Sequence, residues 1–302
     1  MAVIETRDLT KVYGSGRHEV RALDQLNLQV QQGEIFGYLG PNGAGKTTTI
    51  RLLLDLIRPS AGSATVLGMD AQAESVALHK RIGFLPGELA LWKGQTGAQV
   101  LRLVADLRGG VDEAYLRELT ERLQLDLNIR VRNYSSGNRR KLGLVLALMN
   151  KPDLLVLDEP TGGLDPLMQQ IFHEIMFETR DEGRSVFLSS HLLPEVQAIC
   201  DRVAILRQGR LITVEQVSRL TQVGFRWVRL QVRDLGALPG RLEALDGVSE
   251  VSVEDSSLRL RLSGDFDPLL RALQDSYVEE LHVHEPTLEE IFLAYYGNGG
   301  EA

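Results

Sequence analysis

The stretch Gly40-Pro41-Asn42-Gly43-Ala44-Gly45-Lys46-Thr47 matches the pattern G-x-x-x-x-G-K-[ST]. Glycines at these positions let successive backbone N–H groups turn inward as a nest for phosphate oxygens, and a helix starting at Lys46 adds its positive end. Lys46 is then placed to reach the β- and γ-phosphates, and the Thr47 hydroxyl to bind Mg²⁺, with Thr48 completing the candidate nucleotide set. Further on, Leu154-Leu155-Val156-Leu157-Asp158-Glu159 reads as a buried apolar strand that ends in two carboxylates. Asp158 is the candidate Mg²⁺ ligand, and Glu159 the group that orients or deprotonates an attacking water. Pro160-Thr161-Gly162-Gly163-Leu164-Asp165 follows at once, supplying a turn and a third acid, Asp165. The chemistry is phosphoryl transfer from a nucleoside triphosphate. The loop alone is shared by kinases, GTPases and ATPases.

Such residues need elements to hold them. The pattern predicts a strand over Ile35–Leu39, a loop over Gly40–Gly45 and a helix from Lys46 to Ile57. Short apolar runs at 154–157, 186–189 and 203–206 alternate with helical segments at 166–181 and 192–200, which implies a parallel sheet flanked by helices. Between them, 96–107 and 112–125 read as helices broken at Gly109-Gly110, a helical insertion covering about 88–150. After residue 217 the order becomes strand 225–232, helix 238–245, strands 248–253 and 258–262, helix 268–273 and strand 277–284. That βαββαβ order fits a small α+β, ferredoxin-like domain. Thr287 and Glu290 form a capping-box pair ahead of an expected terminal helix over 288–296. The expected division is 1–217 and 218–302.

With 302 residues, 43% hydrophobic and 25% charged, the chain has the composition of a globular protein of about two domains. Residues 1–217 carry 25 basic and 26 acidic side chains, whereas 218–302 carry 8 and 15. So acidic a C-terminal part is repelled by phosphate backbones, which argues against a general nucleic-acid binder. Cys200 is the single cysteine, and no Cys/His spacing suits zinc, as expected in a reducing compartment. Glu5, Arg7 and Asp8 stand where a signal peptide would be apolar, and no window approaches the ~20 apolar residues of a membrane span. If the protein works at a membrane, a partner supplies the spans.

One further segment discriminates among nucleotide hydrolases. Tyr134-Ser135-Ser136-Gly137-Asn138-Arg139-Arg140-Lys141 opens the helix leading into the 154–159 strand; alone, Ser-Ser-Gly-Asn is a helix N-cap. In order with the nucleotide loop, the helical insertion, the acidic strand end, Leu164-Asp165 and His191 after Ser189-Ser190, it resembles the signature of ATP-binding cassette (ABC) ATPases, usually Leu-Ser-Gly-Gly-Gln. The resemblance covers nearly the whole of residues 1–217. It implies an α/β phosphate-binding-loop cassette with a mixed-sheet core and a helical subdomain, ATP and Mg²⁺ as cofactors, and a composite site shared by two cassettes. By motif match, Ser135 and Gly137 would contact the γ-phosphate held by a second copy, here expected to form a homodimer. Asp165 would lie in the loop linking the two sites, His191 would be the switch histidine acting with Glu159 and Lys46, and Tyr13 would stack on adenine.

Two positions depart from that pattern. Ser136 replaces the first signature glycine. Gly87 then Glu88 stand after Ile82-Gly83-Phe84-Leu85-Pro86, where cassettes usually carry a glutamine near Mg²⁺ and the lytic water. By the same analogy, 87–97 should lie near a membrane partner, with Trp92 either a contact or a buried anchor of the insertion. The ending Glu-Pro-Thr-Leu-Glu-Glu-Ile-Phe-Leu-Ala-Tyr-Tyr-Gly resembles bacterial exporter cassettes of the daunorubicin-resistance and multidrug type, which pair with a separate multi-helix membrane protein. The expectation is therefore an exporter ATPase at the cytoplasmic face of a bacterial inner membrane. The alternatives are a soluble ABC ATPase acting on DNA or the ribosome, and a nucleotide-switched regulatory module. One cassette per chain and the acidic tail weigh against the former. Gly87 and Ser136 keep the latter open.

Overall fold

The structure is a computed structural model that describes residues 1–220, 225–254 and 257–286. It divides into two compact units, Met1–Ser218 and Arg219–Ala302. The first unit begins with β1 (Ala2–Tyr13), β2 (Val20–Gln31), β3 (Ile35–Leu39), α1 (Lys46–Leu53), β4 (Ala61–Val66), β5 (Met69–Asp70), α2 (Ser75–His79) and β6 (Ile82–Leu85). The helical insertion follows as α3 (Gly97–Leu107), α4 (Glu113–Arg122) and α5 (Ser136–Leu148). Then come β7 (Leu154–Asp158), α6 (Pro166–Asp181), β8 (Ser185–Ser190), α7 (Leu193–Ile199), β9 (Arg202–Arg207) and β10 (Arg210–Gln216), and the short α8 (Val217–Leu220) spans the division.

Six of these strands form one sheet in the order β10-β9-β3-β8-β7-β6. All neighbours are parallel except the edge pair β10–β9. Every residue of β3, β7 and β8 is buried, the pattern of strands covered on both faces. Inside, Phe36 stacks on Phe187 at 6.0 Å and Tyr38 tilts against the same ring at 5.2 Å. Burying each such ring contributes roughly 1.5–3 kcal/mol. The Tyr38 hydroxyl and Thr49 Oγ1, 3.0 Å apart, join β3 to α1, and burial pushes the phenol well above its usual range.

A second sheet, β2-β1-β4-β5, is wholly antiparallel and was not marked out by the apolar runs. Its strand Ala61–Val66 reads Ala-Gly-Ser-Ala-Thr-Val, too short of large apolar residues to register as a strand. The core sheet is thus mixed by its edge strand, and a second sheet stands beside it.

The insertion owes its shape to caps. Thr96 and Gln99 form a reciprocal capping box at the start of α3, and Asp112 caps α4 through the N–H groups of Ala114 and Tyr115. The expected 46–57 helix is shorter, ending at Leu53 with turns beyond it, where Asp55 adopts φ +51°.

The second unit contains β11 (Phe225–Val232), α9 (Leu238–Glu243), β12 (Val248–Glu254), β13 (Ser257–Ser263), α10 (Asp267–Ala272) and β14 (Val278–His284). Its sheet runs β12-β13-β11-β14, all antiparallel, and both helices pack on one face over Val228, Leu230, Leu258 and Leu260. This is the ferredoxin-like arrangement that the βαββαβ order implies. The expected 288–296 helix with Thr287 and Glu290 lies outside the described residues.

Candidate nucleotide site

In an open parallel sheet, ligands sit beyond the carboxyl ends of the strands. Here β3 ends at the Gly40–Gly45 loop, β7 at Asp158-Glu159, β8 at Ser190-His191 and β6 at Pro86-Gly87. A cleft of about 570 Å³ at that edge is lined by Pro41 to Thr48, Ala22, Phe84, Pro86, Gly87, Glu88, Asp158, Glu159, Gly162 and His191. That volume suits a nucleotide-sized ligand.

The loop is held from two sides. Gly209 N–H donates to Ala44 O at 2.9 Å, and Gly45 adopts φ +110° with a hypothetical Cβ only 2.6 Å from Ala22 O. No residue with a side chain fits there, so Gly45 turns the chain into α1 against β2. Lys46, the first residue of α1, is buried, and its Nζ donates to Gly40 O at 2.6 Å and Pro41 O at 3.3 Å. The same ammonium lies 3.4 Å from Glu159 Oε1.

Thr47 Oγ1 donates to Asp158 Oδ2 at 2.9 Å, while Ser189 Oγ donates to Asp158 Oδ1 at 2.5 Å. A hydroxyl and a carboxylate this close form a hard-oxygen pair suited to Mg²⁺, which takes one or two protein oxygens and completes its shell with phosphate and water. Among the described residues no group of three or more His, Cys, Asp or Glu side chains is placed to hold a metal ion.

Glu159 follows β7 at φ +51°, with its N–H donating to Ser189 O and Oγ, both at 3.2 Å. A non-glycine residue in the left-handed region costs of order 1–3 kcal/mol and persists only where its surroundings demand it. The conformation puts the carboxylate between Lys46 and His191, whose Nδ1–H donates to Glu159 Oε2 at 2.7 Å. Behind this pair, Glu195 on α7 accepts hydrogen bonds from Ser190 Oγ at 2.6 Å and from Thr161 Oγ1. Glu195 thereby ties the residue before His191 to the turn after Glu159.

The remaining candidates stand elsewhere. Ser135 caps α5, its Oγ accepting from Asn138 N at 3.1 Å, and Asp165 caps α6, its Oδ1 accepting from Met168 N at 3.0 Å. Neither these residues nor Gly137 line the cleft of their own chain. Ser136 is exposed, with Oγ 3.5 Å from the Cβ position of Gly163 in the same chain. Tyr13 is 39% exposed at the end of β1, with the Lys11 ammonium 5.2 Å from its ring centre. It pairs with Val20, two residues before the cleft-lining Ala22, and does not line the cleft itself. Gly40 contributes its carbonyl to Lys46 without lining the cleft. Trp92 is 51% exposed, so the buried-anchor reading of that residue fails. Gly87 and Glu88 both line the cleft, and a Cβ at Gly87 would lie 3.2 Å from Asp158 Oδ2.

Ala22, Ile50, Arg51, Phe84, Pro86 and Gly162 also line the cleft and are not among the candidate site residues of the sequence. Ser189, Glu195 and Arg140 support the site and belong to none of its sequence motifs. The two serines that close β8 after Val186-Phe187-Leu188 carry a signal, since a polar pair at a buried strand end needs a partner. Glu195 and Arg140 have none that spacing could reveal.

Residues 23–162 match the ABC transporter family, and residues 213–296 match the C-terminal domain of ATP-binding proteins of the DrrA1-3-like type. The bacitracin transport ATP-binding protein BcrA of Enterococcus faecalis is 30% identical over 309 residues, covering 99% of this chain and 98% of its own length. The Nod factor export ATP-binding protein I of Cupriavidus pinatubonensis is 35% identical, covering 98% and 91%. Among solved structures, an ATP-binding subunit of an ABC transporter aligns with a TM-score of 0.66 at 28% identity, covering 73% of this chain and 92% of that one. A dimeric cassette bound to ADP and Pi shares the fold at a TM-score of 0.63 and 22% identity. The chain belongs to the ATP-binding proteins of ABC transporters and is an ATPase.

Proposed function

We propose that two copies of this chain clamp two ATP molecules and that hydrolysis drives efflux through a separate multi-helix membrane protein, at the cytoplasmic face of a bacterial inner membrane. The observation that carries the clamp is a division of labour. Lys46, Thr47, Asp158, Glu159 and His191 meet in one cleft, whereas Ser135 and Gly137, at the exposed start of α5, do not line it. A second copy can bring its Ser135 and Gly137 to the γ-phosphate, and two such contacts related by a two-fold axis close the pair. The export direction is supported by the C-terminal match and by relatives whose names specify bacitracin transport and Nod factor export. Among the described residues no helix is long and apolar enough to cross a membrane, so the substrate pathway falls to the partner.

Within the cleft, the loop N–H groups and the α1 terminus bind the phosphates, and Lys46 transfers its donors from Gly40 O and Pro41 O to phosphate oxygens. Thr47 and Asp158 would hold Mg²⁺, which supplies charge neutralisation on the β- and γ-phosphate oxygens when bound. Glu159 takes a proton from the attacking water as its oxygen bonds to the γ-phosphorus and the bond to ADP breaks. His191 orients that carboxylate through its 2.7 Å hydrogen bond. Tyr13 offers its ring to the adenine, and Asp165 lies where the two copies meet.

Glu159→Gln protein should run as a monomer of 33.5 kDa without nucleotide and as a dimer with ATP and Mg²⁺, as measured by light scattering after gel filtration. A monomer at every ATP concentration would contradict the clamp.

A further inference from the structure

Arg140 lies on α5, five residues past the Ser135 cap, and is only 9% exposed. Its guanidinium is spent on three main-chain carbonyls: Nη1 donates to Pro86 O at 2.9 Å, Nη2 to Gly87 O at 2.9 Å and Nε to Gly162 O at 3.3 Å. The first two bonds make a fork across the segment beside Asp158, where a Cβ at Gly87 would come within 3.2 Å of Oδ2. The third reaches the turn after the general base, in which Gly162 N–H donates to Glu159 O at 3.3 Å. One planar, rigid group thus joins the signature helix to the flank of Asp158 and to the turn that follows Glu159.

Keeping a cation in this place is costly. Burial pulls the guanidinium below its ordinary value, and the charges of Asp158 and Glu159 work in the opposite direction. Neutral carbonyls repay less of that desolvation than a carboxylate partner would, so packing alone gives little reason for arginine here. What arginine alone supplies is three donors fixed in one plane, which sets the relative position of three segments.

We propose that Arg140 is a positioning residue that makes the signature end of α5 and the carboxylates of the same chain's cleft move as one body. The inference rests on the two-copy reading above. In that arrangement the carboxylates act on a chain's own ATP and the signature on its partner's, so Arg140 links the two sites within each chain. The Gly87 main chain is fixed through its carbonyl, by Arg140 Nη2 at 2.9 Å.

The test uses the full-length protein with Arg140→Lys, Arg140→Ala, Ser135→Ala and the Ser135→Ala/Arg140→Lys double variant. ATP turnover is measured as kcat, and binding of a fluorescent ATP analogue as Kd. Arg140→Ala should lower kcat at least about 10-fold with Kd within about threefold, and Arg140→Lys should retain an intermediate kcat, since an ammonium can hold one carbonyl but not the fork. In the double variant the losses should be smaller than the product of the single losses, because both substitutions disable the same signature contact. Should Arg140→Ala fail to fold, Arg140→Lys and its double variant decide alone. Unchanged kcat, losses that multiply, or parallel changes in Kd and kcat would each overturn the proposal. The wild-type rate, read separately, reports on the ATPase itself.

Discussion

Lys46→Ala should lower ATP affinity at least about 30-fold. The lysine ammonium is buried beside the loop and donates to two carbonyls of that loop, so its charge is already desolvated and aimed where phosphates would lie. Truncating one partner of a buried, hydrogen-bonded charge pair costs about 2–5 kcal/mol, and 2 kcal/mol corresponds to about 30-fold. The loop N–H groups and the α1 terminus would remain, so the loop keeps its form while losing the cation. Calorimetric titration with ATP reads the affinity, and the rise in melting temperature that a tight ligand produces should shrink with it. Affinity within threefold of wild type would remove Lys46 from phosphate binding.

Glu159→Gln should leave ATP binding within a few fold while lowering kcat by about 100-fold or more, the usual contribution of a positioned general base. The amide keeps the size of the side chain and still offers an oxygen to His191 Nδ1, now 2.7 Å from Oε2, but it cannot accept the water proton. Loss of the carboxylate charge also frees Lys46, 3.4 Å from Oε1, to pair with phosphate alone. The split between Kd and kcat separates this outcome from a disturbed fold, which would change both. Phosphate release at the wild-type rate would take the base role away from Glu159.

The phosphate loop was legible in the sequence because contiguous residues do the work: the nest, Lys46 and Thr47 follow one another along the chain. Asp158 and Glu159 were legible for a related reason, being carboxylates at the end of a fully apolar strand. Ser135 is different. Its capping role could be read locally, whereas any role toward a second copy depends on family resemblance, since nothing in Ser-Ser-Gly-Asn specifies a partner's phosphate. The antiparallel sheet escaped notice because strands such as Ala61–Val66 are built of small and polar residues that pair through their backbones. In the second unit the order of strands and helices was enough, because a βαββαβ chain with two helices on one face has few ways to close its sheet. Arg140 and Glu195 were illegible for a common reason. Each sits in a helix with ordinary spacing: Arg140 acts on segments at least 22 residues away, the nearest at Gly162, and Glu195 joins its near neighbour Ser190 to Thr161, 34 residues away.

Gly87 and Ser136 show how departures from a pattern read in three dimensions. Ser136 lies beside Gly163 of its own chain, and Gly87 gives the 86–87 segment room to approach Asp158. Neither change removes a residue from the cluster of Lys46, Thr47, Asp158, Glu159 and His191, which remains complete.

The partnership with a membrane protein is tested by capturing tagged Glu159→Gln protein from detergent-solubilised native membranes with ATP and Mg²⁺ and identifying the co-purifying chains by mass spectrometry. A stoichiometric multi-helix membrane protein should co-purify, held by the arrested cassettes and lost when ATP is withheld. Recovery of ribosomal or DNA-repair proteins in its place would contradict that partnership.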